Sequence, residues 1–590
     1  MLRLSSAVAC WLFLASLGSL QAQDEPPEMP TVPVPPPQEE EILERRAAAQ
    51  ERKLEAVGRT PGFRLENRVE ESGIEFVHRI VDDAGKHYKM VHYDHGNGIA
   101  AADVDGDDRI DLYFLTQLGG NELWRNLGDG TFEEITDRAG VGVDDRISVA
   151  AAFGDSDNDG DADLYVTTVN QGNLFFENLG KGEFRDATES SGLGHRGHSS
   201  GALWLDYDRD GLLDLFVSNV GRYTTIGQGR GGYFVGLREA FSGHLFPERF
   251  ERSLLFRNLG DNRFEEVSRS VGLVDDGWTG DAIAADFDDD GWIDLYLPNM
   301  QGDDRLWLNR EGKEFVEATD RFFPKTPWGT MGITLVDADA DGAFDLYLTD
   351  MHSDMSKKVG WKDEGKKSDM QWSEAHLQGG GDNLFGNALY RQTAEGPWKE
   401  ISDQAGVELY WPWGVSAADF DADGLEDLFV TTSMNYPWRY QPNSLLWNVG
   451  GRFVDVAFPV GLEPRKGGRT YTPWFVADCS GAEKDESYCE GRSGEIQVLG
   501  ALGSRSSVAF DLEGDGDLDV VTNEFHSAPQ VLVNEPLKGA ESSWVKIDLR
   551  GSTSNRSGLG AAVTVRTKED FHTRVHTGKS GYLAQSSLPL

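Results

Sequence analysis

Seven short segments between residues 103 and 519 place acidic side chains at positions one, three, five and nine of a nine-residue stretch that an apolar run follows. The first is DVDGDDRIDLYF from Asp103, and the fourth is DFDDDGWIDLYL from Asp286. Carboxylates at positions one, three and five converge on one point when the chain coils tightly. Calcium takes six to eight oxygen ligands at about 2.3–2.6 Å, whereas magnesium demands a near-ideal octahedron with retained waters. The spacing therefore predicts up to seven calcium sites.

Position six of each loop favours glycine, because the turn there suits a residue without Cβ, and position seven would contribute its backbone carbonyl. Two loops depart from the pattern: the first has Asp108 at position six, and the seventh has Glu513 at position three. The predicted metal ligands are Asp103, Asp105, Asp107 and Asp111; Asp155, Asp157, Asp159 and Asp163; Asp206, Asp208, Asp210 and Asp214; Asp286, Asp288, Asp290 and Asp294; Asp337, Asp339, Asp341 and Asp345; Asp419, Asp421, Asp423 and Asp427; and Asp511, Glu513, Asp515 and Asp519.

Two other kinds of structure are built from similar acidic segments. An EF-hand needs a glutamate at position twelve and a helix on each side, but position twelve is Phe114 in the first loop and Val166 in the second, and the flanks are β-rich. Solvated turns are the other alternative, since Asp and Gly favour turns. Four acids at fixed offsets, seven times over, would repel one another without a cation, which favours metal binding. We expect the metal to be structural, because ~1 mM calcium and a Kd of ~0.1 mM would add about 1.4 kcal/mol of stability per site.

The elements that hold these loops repeat at a nearly constant interval. Successive loops begin 52, 51, 80, 51, 82 and 92 residues apart. This series fits a unit of about 51 residues with insertions, and such a period is typical of stacked supersecondary units. Each unit has an apolar strand before the loop, a second strand after it, and two further strands joined by a glycine turn. Four short strands joined by tight turns make one blade of a β-propeller.

The two ends of the repeat region indicate how the ring of blades closes. The seventh unit continues through residues 530–534 and then lacks its last strand, whereas residues 63–74 form an unattached segment of matching style before the first unit. We expect this segment to complete the last blade, because closure protects strand edges. The sequence therefore predicts an all-β protein with a seven-bladed propeller over residues 63–536.

The repeats resemble FG-GAP/VCBS repeats, the units of integrin-α-type propellers. After them, GSTSNRSGLGA at residues 551–561 and GKSGYLAQS at residues 578–586 resemble the ASPIC/UnbV domain. The combination is similar to the cartilage acidic protein family and its bacterial relatives. The resemblance implies an integrin-α-type β-propeller with a small C-terminal β domain over residues 541–590, which we expect to be partial because the chain stops at Leu590. It also suggests a module that binds protein or matrix partners.

The N-terminal residues predict export. Residues 1–22 combine Arg3 with an apolar run of signal-peptide length that is too short to span a bilayer. Residues 23–62 predict a Pro-rich acidic linker and a short exposed helix. Cys479 and Cys489 remain after the signal, and two cysteines in an oxidising compartment most simply form a disulfide. We expect a secreted or periplasmic protein without a membrane span.

The insertions between strands indicate where a partner would bind. Residues 221–252, 351–386 and 434–443 lie between the second and third strands of a blade, and residues 464–500 lie between two blades. All of them should emerge on the face opposite the acidic loops, and loops on a rigid scaffold commonly carry function. Exposed Trp, Tyr and Arg there would suit a sugar or a protein; the alternative is that these side chains pack the insertions onto the scaffold. The candidate ligand-binding residues are His95, Arg146, His198, Trp278, Trp328, Trp411, Trp413 and Arg505.

Composition and motifs limit the possible functions. The chain has 55 basic and 100 acidic residues and a net charge of −45, which argues against a nucleic-acid partner, since phosphate binding needs clustered Lys and Arg. The sequence contains no nucleophile elbow, HExxH motif or dinucleotide fingerprint, so we do not expect an enzyme. We expect a secreted calcium-binding propeller with an extracellular protein or matrix partner. A carbohydrate-binding lectin is the alternative, and a polysaccharide-active enzyme is less favoured.

Overall fold

The structure is a computed structural model, and it describes residues 30–33, 39–81, 96–229, 233–237, 240–351, 360–368, 373, 377, 383–393, 396–432, 440–537, 544–568 and 571–586. Seven antiparallel sheets form seven propeller blades, each built on four strands, as the repeat predicts. In each blade the apolar strand before the acidic loop is the first strand, and the acidic loop joins it to the second.

The strands of each blade are given from its first to its fourth. Blades 1 to 3 contain β3 (Ile99–Ala102), β4 (Asp111–Phe114), β5 (Glu122–Asn126) and β6 (Phe132–Glu134); β7 (Ser148–Gly154), β8 (Asp163–Thr168), β9 (Leu174–Asn178) and β10 (Phe184–Asp186); and β11 (Ser199–Leu205), β12 (Asp214–Asn219), β15 (Leu254–Asn258) and β16 (Phe264–Glu266). Blades 4 and 5 contain β17 (Ile283–Ala285), β18 (Asp294–Leu297), β19 (Arg305–Arg310) and β20 (Glu314–Glu317); and β21 (Thr330–Val336), β22 (Asp345–Asp350), β23 (Ala388–Arg391) and β24 (Lys399–Glu400). Blades 6 and 7 contain β25 (Pro412–Ala418), β26 (Asp427–Thr432), β27 (Ser444–Asn448) and β28 (Phe453–Asp455); and β31 (Ser504–Phe510), β32 (Asp519–Glu524), β33 (Val531–Pro536) and β2 (Phe63–Asn67). Five one-turn helices cover Val69–Ser72, Thr136–Ala139, Thr188–Ser191, Thr319–Phe322 and Ser402–Ala405.

The N-terminal segment closes the ring, as the sequence predicts. Strand β2 pairs antiparallel with β33, from Phe63 opposite Pro536 to Asn67 opposite Leu532. Phe63 and Leu65 on its inner side are buried in a cluster that also holds residues of blade 6. The last blade therefore takes strands from both ends of the propeller, and the edge of β33 is not left unpaired.

Buried hydroxyl groups join neighbouring blades near the centre. Thr167 of β8 donates to the carbonyl of Ser200 at 2.6 Å, Thr349 of β22 donates to that of Trp413 at 2.6 Å, and Thr431 of β26 donates to that of Arg505 at 2.8 Å. Each bond crosses from one blade to the next, because the second strand of a blade faces the first strand of its neighbour. The centre of the ring is therefore held by directed polar contacts as well as by apolar packing.

The segment before the propeller is more firmly attached than the expected linker and exposed helix. Strand β1 (Thr31–Pro33) pairs in parallel with β30 (Glu495–Ala501). Helix α1 (Glu39–Val57) forms where the sequence predicts it, but Leu54 is buried in the cluster beneath blades 6 and 7. The Gln50 side-chain oxygen accepts the N–H of Phe458 at 2.9 Å. The expectation of a fully exposed helix is therefore wrong, because one apolar side of the helix docks on the propeller.

The insertions carry short elements of their own. Strands β13 (Thr224–Gln228) and β14 (Phe234–Gly236) form a hairpin in blade 3. Strand β29 (Tyr471–Asp478) pairs with β30 in the insertion before blade 7. Cys479 and Cys489 form the expected disulfide at the end of this hairpin. No helix in the described part of the chain is long and apolar enough to cross a membrane.

The described residues of the C-terminal region, 544–568 and 571–586, do not form the separate small domain that the resemblance implies. Strands β34 (Ala562–Arg566) and β35 (Phe571–Val575) make a hairpin, and β36 (Ala584–Gln585) then joins the sheet of blade 1 as a parallel neighbour of β3. Tyr582 and Leu583 are fully buried in the cluster at the propeller centre. The last described residues, 577–586, are therefore part of the propeller core, whereas the β34–β35 hairpin lies on its surface.

Candidate metal centres and the opposite face

The backbone of each acidic loop is wound tightly by two residues with positive φ. Position six has φ between 85° and 106° in the six loops where it is glycine, and Asp108 takes 64° in the first loop. Position four is also left-handed, for example Asn158 at 61° and Ala422 at 54°. Sequence reasoning identified position six but not position four, because several residue types occupy position four. Together the two turns bring the odd-numbered carboxylates to one side.

The carboxylates of positions one, three and five converge as expected. In loops 1, 2, 3 and 5, one oxygen from each lies within 4.8 Å of the others, and in loop 4 the same holds for Asp286, Asp288 and Asp294. The acidic clusters of the propeller therefore have the oxygen donors and the spacing to bind a metal ion.

Each loop also holds a buried carboxylate oxygen with no hydrogen-bond partner among the described residues. Such an oxygen is expensive to bury unless a cation or a donor satisfies it. Asp155 and Asp206 are 6% and 7% exposed, so water does not readily satisfy them. The oxygens belong to Asp105, Asp155, Asp206, Asp288, Asp337, Asp345, Asp421 and, at position seven of loop 7, Asp517. Hard oxygen donors that lack a partner in every loop fit a calcium ion.

The raised pKa values of several loop aspartates also favour a bound cation. Burial, reinforced by the neighbouring carboxylates, raises the pKa of Asp155 and of Asp206 to about 6. Burial also raises the pKa of Asp294 and of Asp519 to about 8, although backbone hydrogen bonds oppose the shift. A raised pKa means that the ionised form is disfavoured where it stands. Divalent charge at the centre of the loop would remove this cost.

The aspartate at position nine holds the loop together through hydrogen bonds. In loop 4, Asp294 accepts the N–H of Phe287 at 2.8 Å with one oxygen and the N–H of Asn309 at 2.7 Å with the other. The same pair of bonds recurs at Asp111, Asp163, Asp214, Asp427 and Asp519. Position nine was predicted as a ligand; the structure shows this bracing role as well, and in loop 4 Asp294 also lies within the group of possible ligands.

An asparagine at the end of the third strand links each loop to the preceding one. Asn309 donates from its side-chain nitrogen to the carbonyl of Tyr207, at position two of loop 3, at 2.8 Å. Asn126, Asn178, Asn258, Asn448 and Asn534 make equivalent bonds of 2.7–3.1 Å. In blade 5 the position is Gln392, and there an aromatic cluster that includes Phe287, Phe323 and Trp398 joins blades 4 and 5 instead.

On the opposite face, the described aromatic residues of the predicted ring are buried. The prediction that they are exposed is therefore wrong. The side chains are buried because the insertions and the C-terminal segment cover them, which agrees with the packing alternative. The exposed fractions are 1% for His198, 4% for Trp278, 2% for Trp328, 6% for Trp411, and zero for Trp413 and Arg505. His95 lies outside the described residues.

Two of these residues show how the packing works. The guanidinium of Arg505 lies 3.7 Å from the ring centre of Trp413 and 4.6 Å from that of Phe525, a stacked arrangement that favours a buried cation. Trp413 also packs against Tyr582 of the C-terminal segment, with ring centres 5.5 Å apart. Arg146 alone among the described candidates stays partly exposed, and it lines a surface groove of about 1150 Å³ with His195 and Glu266.

The acidic-loop face is partly covered, which sequence reasoning did not foresee. The N–H of Thr573 in β35 donates to Asp337 of loop 5 at 3.0 Å, and the N–H of Arg556 donates to Asn158 of loop 2 at 2.9 Å. Phe571 forms an isolated bridge with Asp341. The C-terminal segment therefore crosses the acidic-loop face before it enters the channel.

A seven-bladed ring with one acidic loop per blade defines the class of protein. The family model described as FG-GAP-like repeat matches residues 103–166, 155–217, 286–348 and 378–430, which contain the first six loops. The chain is an FG-GAP-repeat β-propeller homologous to cartilage acidic protein 1.

The relatives show how far this homology extends. The chain is 24% identical over 261 residues to "Cartilage acidic protein 1" of Homo sapiens, over 44% of this chain and 36% of that protein. The protein of the same name in Xenopus tropicalis is 25% identical over 305 residues, over 48% of this chain and 43% of that protein. The match thus spans less than half the length of these relatives. The solved complex of BBS1N with ARL6DN is similar at a TM-score of 0.37 and 10% identity, over 79% of this chain and 98% of that chain.

Proposed function

We propose that this protein is a secreted, calcium-stabilised β-propeller that binds an extracellular protein or a matrix component. The observation that carries the calcium half is the unpartnered buried carboxylate oxygen in each of the seven loops. Calcium supplies positive charge there and accepts oxygens in flexible geometry. Positions one, three and five would hold the ion in loops 1, 2, 3 and 5, and Asp286, Asp288 and Asp294 would do so in loop 4, while position nine also braces the loop.

The binding half of the proposal is supported by where the additional sequence lies. The ends of β12, β22 and β26 from which the insertions depart, and the disulfide-closed hairpin β29–β30, lie on the face opposite the acidic loops. A rigid ring that displays long insertions on one side is suited to presenting a binding surface. The described tryptophans of that face are buried except for Trp361, which is partly exposed, so the sugar-stacking argument for a lectin is weaker there. The homology to cartilage acidic protein 1, together with the disulfide, fits an extracellular module.

Thermal unfolding in calcium and in a chelator tests the calcium half. We expect the melting temperature to fall by many degrees in chelator and to recover with 1 mM calcium but not with equal magnesium. At a Kd of ~0.1 mM each site would contribute about 1.4 kcal/mol, so seven sites together would add on the order of 10 kcal/mol. A melting temperature that does not respond to chelator would contradict the proposal.

A loop variant and a matched control connect the effect to the loops. Asp206→Asn combined with Asp208→Asn removes two predicted ligands of loop 3, and the calcium-induced shift should become smaller. Asp261→Asn changes an aspartate whose side chain is 92% exposed in a neighbouring turn, and it should leave the shift unchanged. Equal shifts in the two variants would mean that calcium acts elsewhere.

The binding half is tested separately, in calcium, on panels of purified extracellular matrix proteins and of glycans. Saturable binding to a protein component supports the proposal. Tight binding of one sugar, with no protein bound, would replace it with the lectin alternative.

A further inference from the structure

Next to the linking asparagine at the end of the third strand (Gln392 in blade 5), one residue lies beside the acidic loop of its own blade, and we call it the strand-three residue. It directly precedes the linking residue in six blades, whereas in blade 4 it is Arg310, which directly follows Asn309. It differs between blades in a way that the repeat pattern does not reveal. From blade 1 to blade 7 the strand-three residues are Arg125, Glu177, Arg257, Arg310, Arg391, Trp447 and Val533.

In blades 1, 3, 4 and 5 the strand-three arginine bridges two carboxylates of the loop. Arg310 is the clearest case: its Nη1 lies 2.9 Å from Asp288 and 2.8 Å from Asp290, at positions three and five. Arg125 likewise pairs with Asp105 and, at 2.8 Å, with Asp107.

The remaining two arginines repeat the arrangement with one longer contact each. Arg257 lies 2.7 Å from Asp208 and 3.5 Å from Asp210. Arg391 lies 2.9 Å from Asp339 and 3.7 Å from Asp345. A guanidinium therefore stands beside the point at which the metal ligands of these four loops converge.

Blades 2, 6 and 7 lack this internal cation. The carboxylate of Glu177 instead raises the pKa of Asp157 further, after the larger effect of burial. Trp447 donates its Nε1–H to Asp421 at 2.8 Å, and Val533 carries no charge.

Each of these three loops is approached by arginines from segments outside the repeats. In the described part of the chain, loops 2 and 7 have one each and loop 6 has two, since Arg574 also lies 2.9 Å from Glu426 at position eight of that loop. Arg556 lies 3.6 Å from Asp155, Arg59 lies 3.4 Å from Asp423, and Arg68 lies 3.4 Å from Glu513. Each contacts a single acid of its loop at these distances, whereas the strand-three arginines each bridge two.

We propose that the strand-three residue sets the order in which the loops take up calcium: loops 2, 6 and 7 fill first, and loops 1, 3, 4 and 5 fill only at higher calcium. This inference rests on the calcium binding proposed above. A fixed positive charge a few ångströms from the site repels a divalent ion, and the arginine must also give up its own contacts before the carboxylates can turn to the metal. The arginine-bridged loops keep part of their cross-linking without calcium, whereas the other three depend on it.

Terbium, which replaces calcium and emits when a nearby tryptophan is excited, reports on individual loops. Trp292 occupies position seven of loop 4, and Trp447 contacts the Asp421 ligand of loop 6. We expect tryptophan-excited emission to rise in two phases as terbium is added to the full chain. Trp292→Phe should remove most of the later phase and leave the earlier one.

The decisive variant is Arg310→Gln, which removes the bridging charge of loop 4. We expect the Trp292-dependent phase to move to about tenfold lower terbium. Arg310→Lys keeps a positive charge at nearly the same place and should move it much less. Arg269→Gln is the matched control, since Arg269 is exposed and has no ion pair to a loop carboxylate in the described part of the chain. Melting temperatures of all variants in excess calcium verify that they are folded.

The outcomes separate this inference from the proposed function. If the folded Arg310→Gln protein keeps the Trp292-dependent phase at its original terbium concentration, the ordering is wrong although the loops bind metal. If no phase appears in the unmodified protein and calcium does not quench any emission, the proposed calcium binding itself falls. Glu177→Arg gives blade 2 a strand-three arginine. It should move part of the earlier phase to a higher terbium concentration.

Discussion

At the scale of single residues, the loop aspartates have two different roles. Asp294 at position nine accepts two backbone N–H groups, so it fixes the loop whether or not an ion is bound. Asp288 at position three keeps a buried oxygen without a partner among the described residues. Because the two roles follow from hydrogen bonds and not from residue type, substitution at position nine should damage folding, whereas substitution at position three should chiefly affect metal binding.

His78 is a buried residue whose titration should be visible in stability. Burial, reinforced by the positive charge of the neighbouring His526 and Arg505, lowers its pKa from 6.5 to about 3. Its ring nitrogen Nδ1 accepts the N–H of His526 at 3.0 Å. The folded protein therefore keeps His78 neutral at pH values where the unfolded chain protonates it.

The sign of the pH effect follows from this depressed pKa. The stabilisation is complete above the usual pKa of 6.5 and is lost as the pH falls towards about 3. Between pH 6.5 and 5 the loss is about 2 kcal/mol, at 1.36 kcal/mol per pH unit. We expect the melting temperature in calcium to fall over this range.

A variant assigns the effect to this histidine. His78→Asn keeps an acceptor near Nδ1, and it should flatten the dependence of melting temperature on pH below 6.5. His572→Asn, at a partly exposed histidine, should leave the dependence as it is. A His78→Asn protein with an unchanged slope would contradict the assignment.

At the scale of elements, the C-terminal segment is the least predictable part of the molecule. Its motif GKSGYLAQS resembles a known domain, but its environment is the propeller channel. Lys579 forms an ion pair of 2.9 Å with Asp281, and both side chains are only 1% exposed. The N–H of Leu583 donates to the other oxygen of Asp281 at 3.0 Å. A buried pair of this kind needs all its partners, because a lone buried charge is strongly destabilising.

Gly581 is the position at which this insertion is most sensitive to substitution. It has a φ of +52°, and a Cβ built there would lie 2.3 Å from the carbonyl oxygen of Val415 and 2.6 Å from its nitrogen. The backbone of β25 cannot move aside easily, so Gly581→Ala should expel the segment from the channel while the blades stay folded. Trypsin cleavage after Lys579 should then become at least about tenfold faster, since cleavage requires local opening.

Gly360→Ala serves as the control for this experiment, because nothing lies within 4 Å of a Cβ at that position. It should not change cleavage after Lys579. Continued resistance of Lys579 to trypsin in Gly581→Ala would show that the channel accommodates the extra methyl group.

At the scale of the whole molecule, the sequence predicts the ring, its blade number and its closing strand. These features follow from strand-length periodicity and from turn residues, which are local. The burial of Trp278, Trp411 and Trp413 does not depend on local sequence. An isolated blade would expose these side chains, and the C-terminal segment and the insertions bury them. The ion pairs of the strand-three arginines could not be predicted for a related reason. Their partners lie in a different part of the blade, and they are identified only when the strand register is known. The sequence thus predicts the scaffold and the position of its acidic loops better than the contents of the channel.

Closure of the ring by β2 makes the stability of the whole propeller depend on one short strand. Leu65 is 4% exposed within the cluster beneath blades 6 and 7, while Glu66 beside it faces solvent. Leu65→Asn should cost about 3 kcal/mol or more through lost burial and an amide placed among apolar groups. Release of β2 would also bare the edge of β33, and exposed edges pair with other chains. We therefore expect a lower melting temperature together with concentration-dependent self-association in light scattering.

Glu66→Asn places the same side chain on the outer side of the strand and should remain monomeric. If the Leu65→Asn protein melts with the control and does not associate, the blades hold the ring closed without this strand.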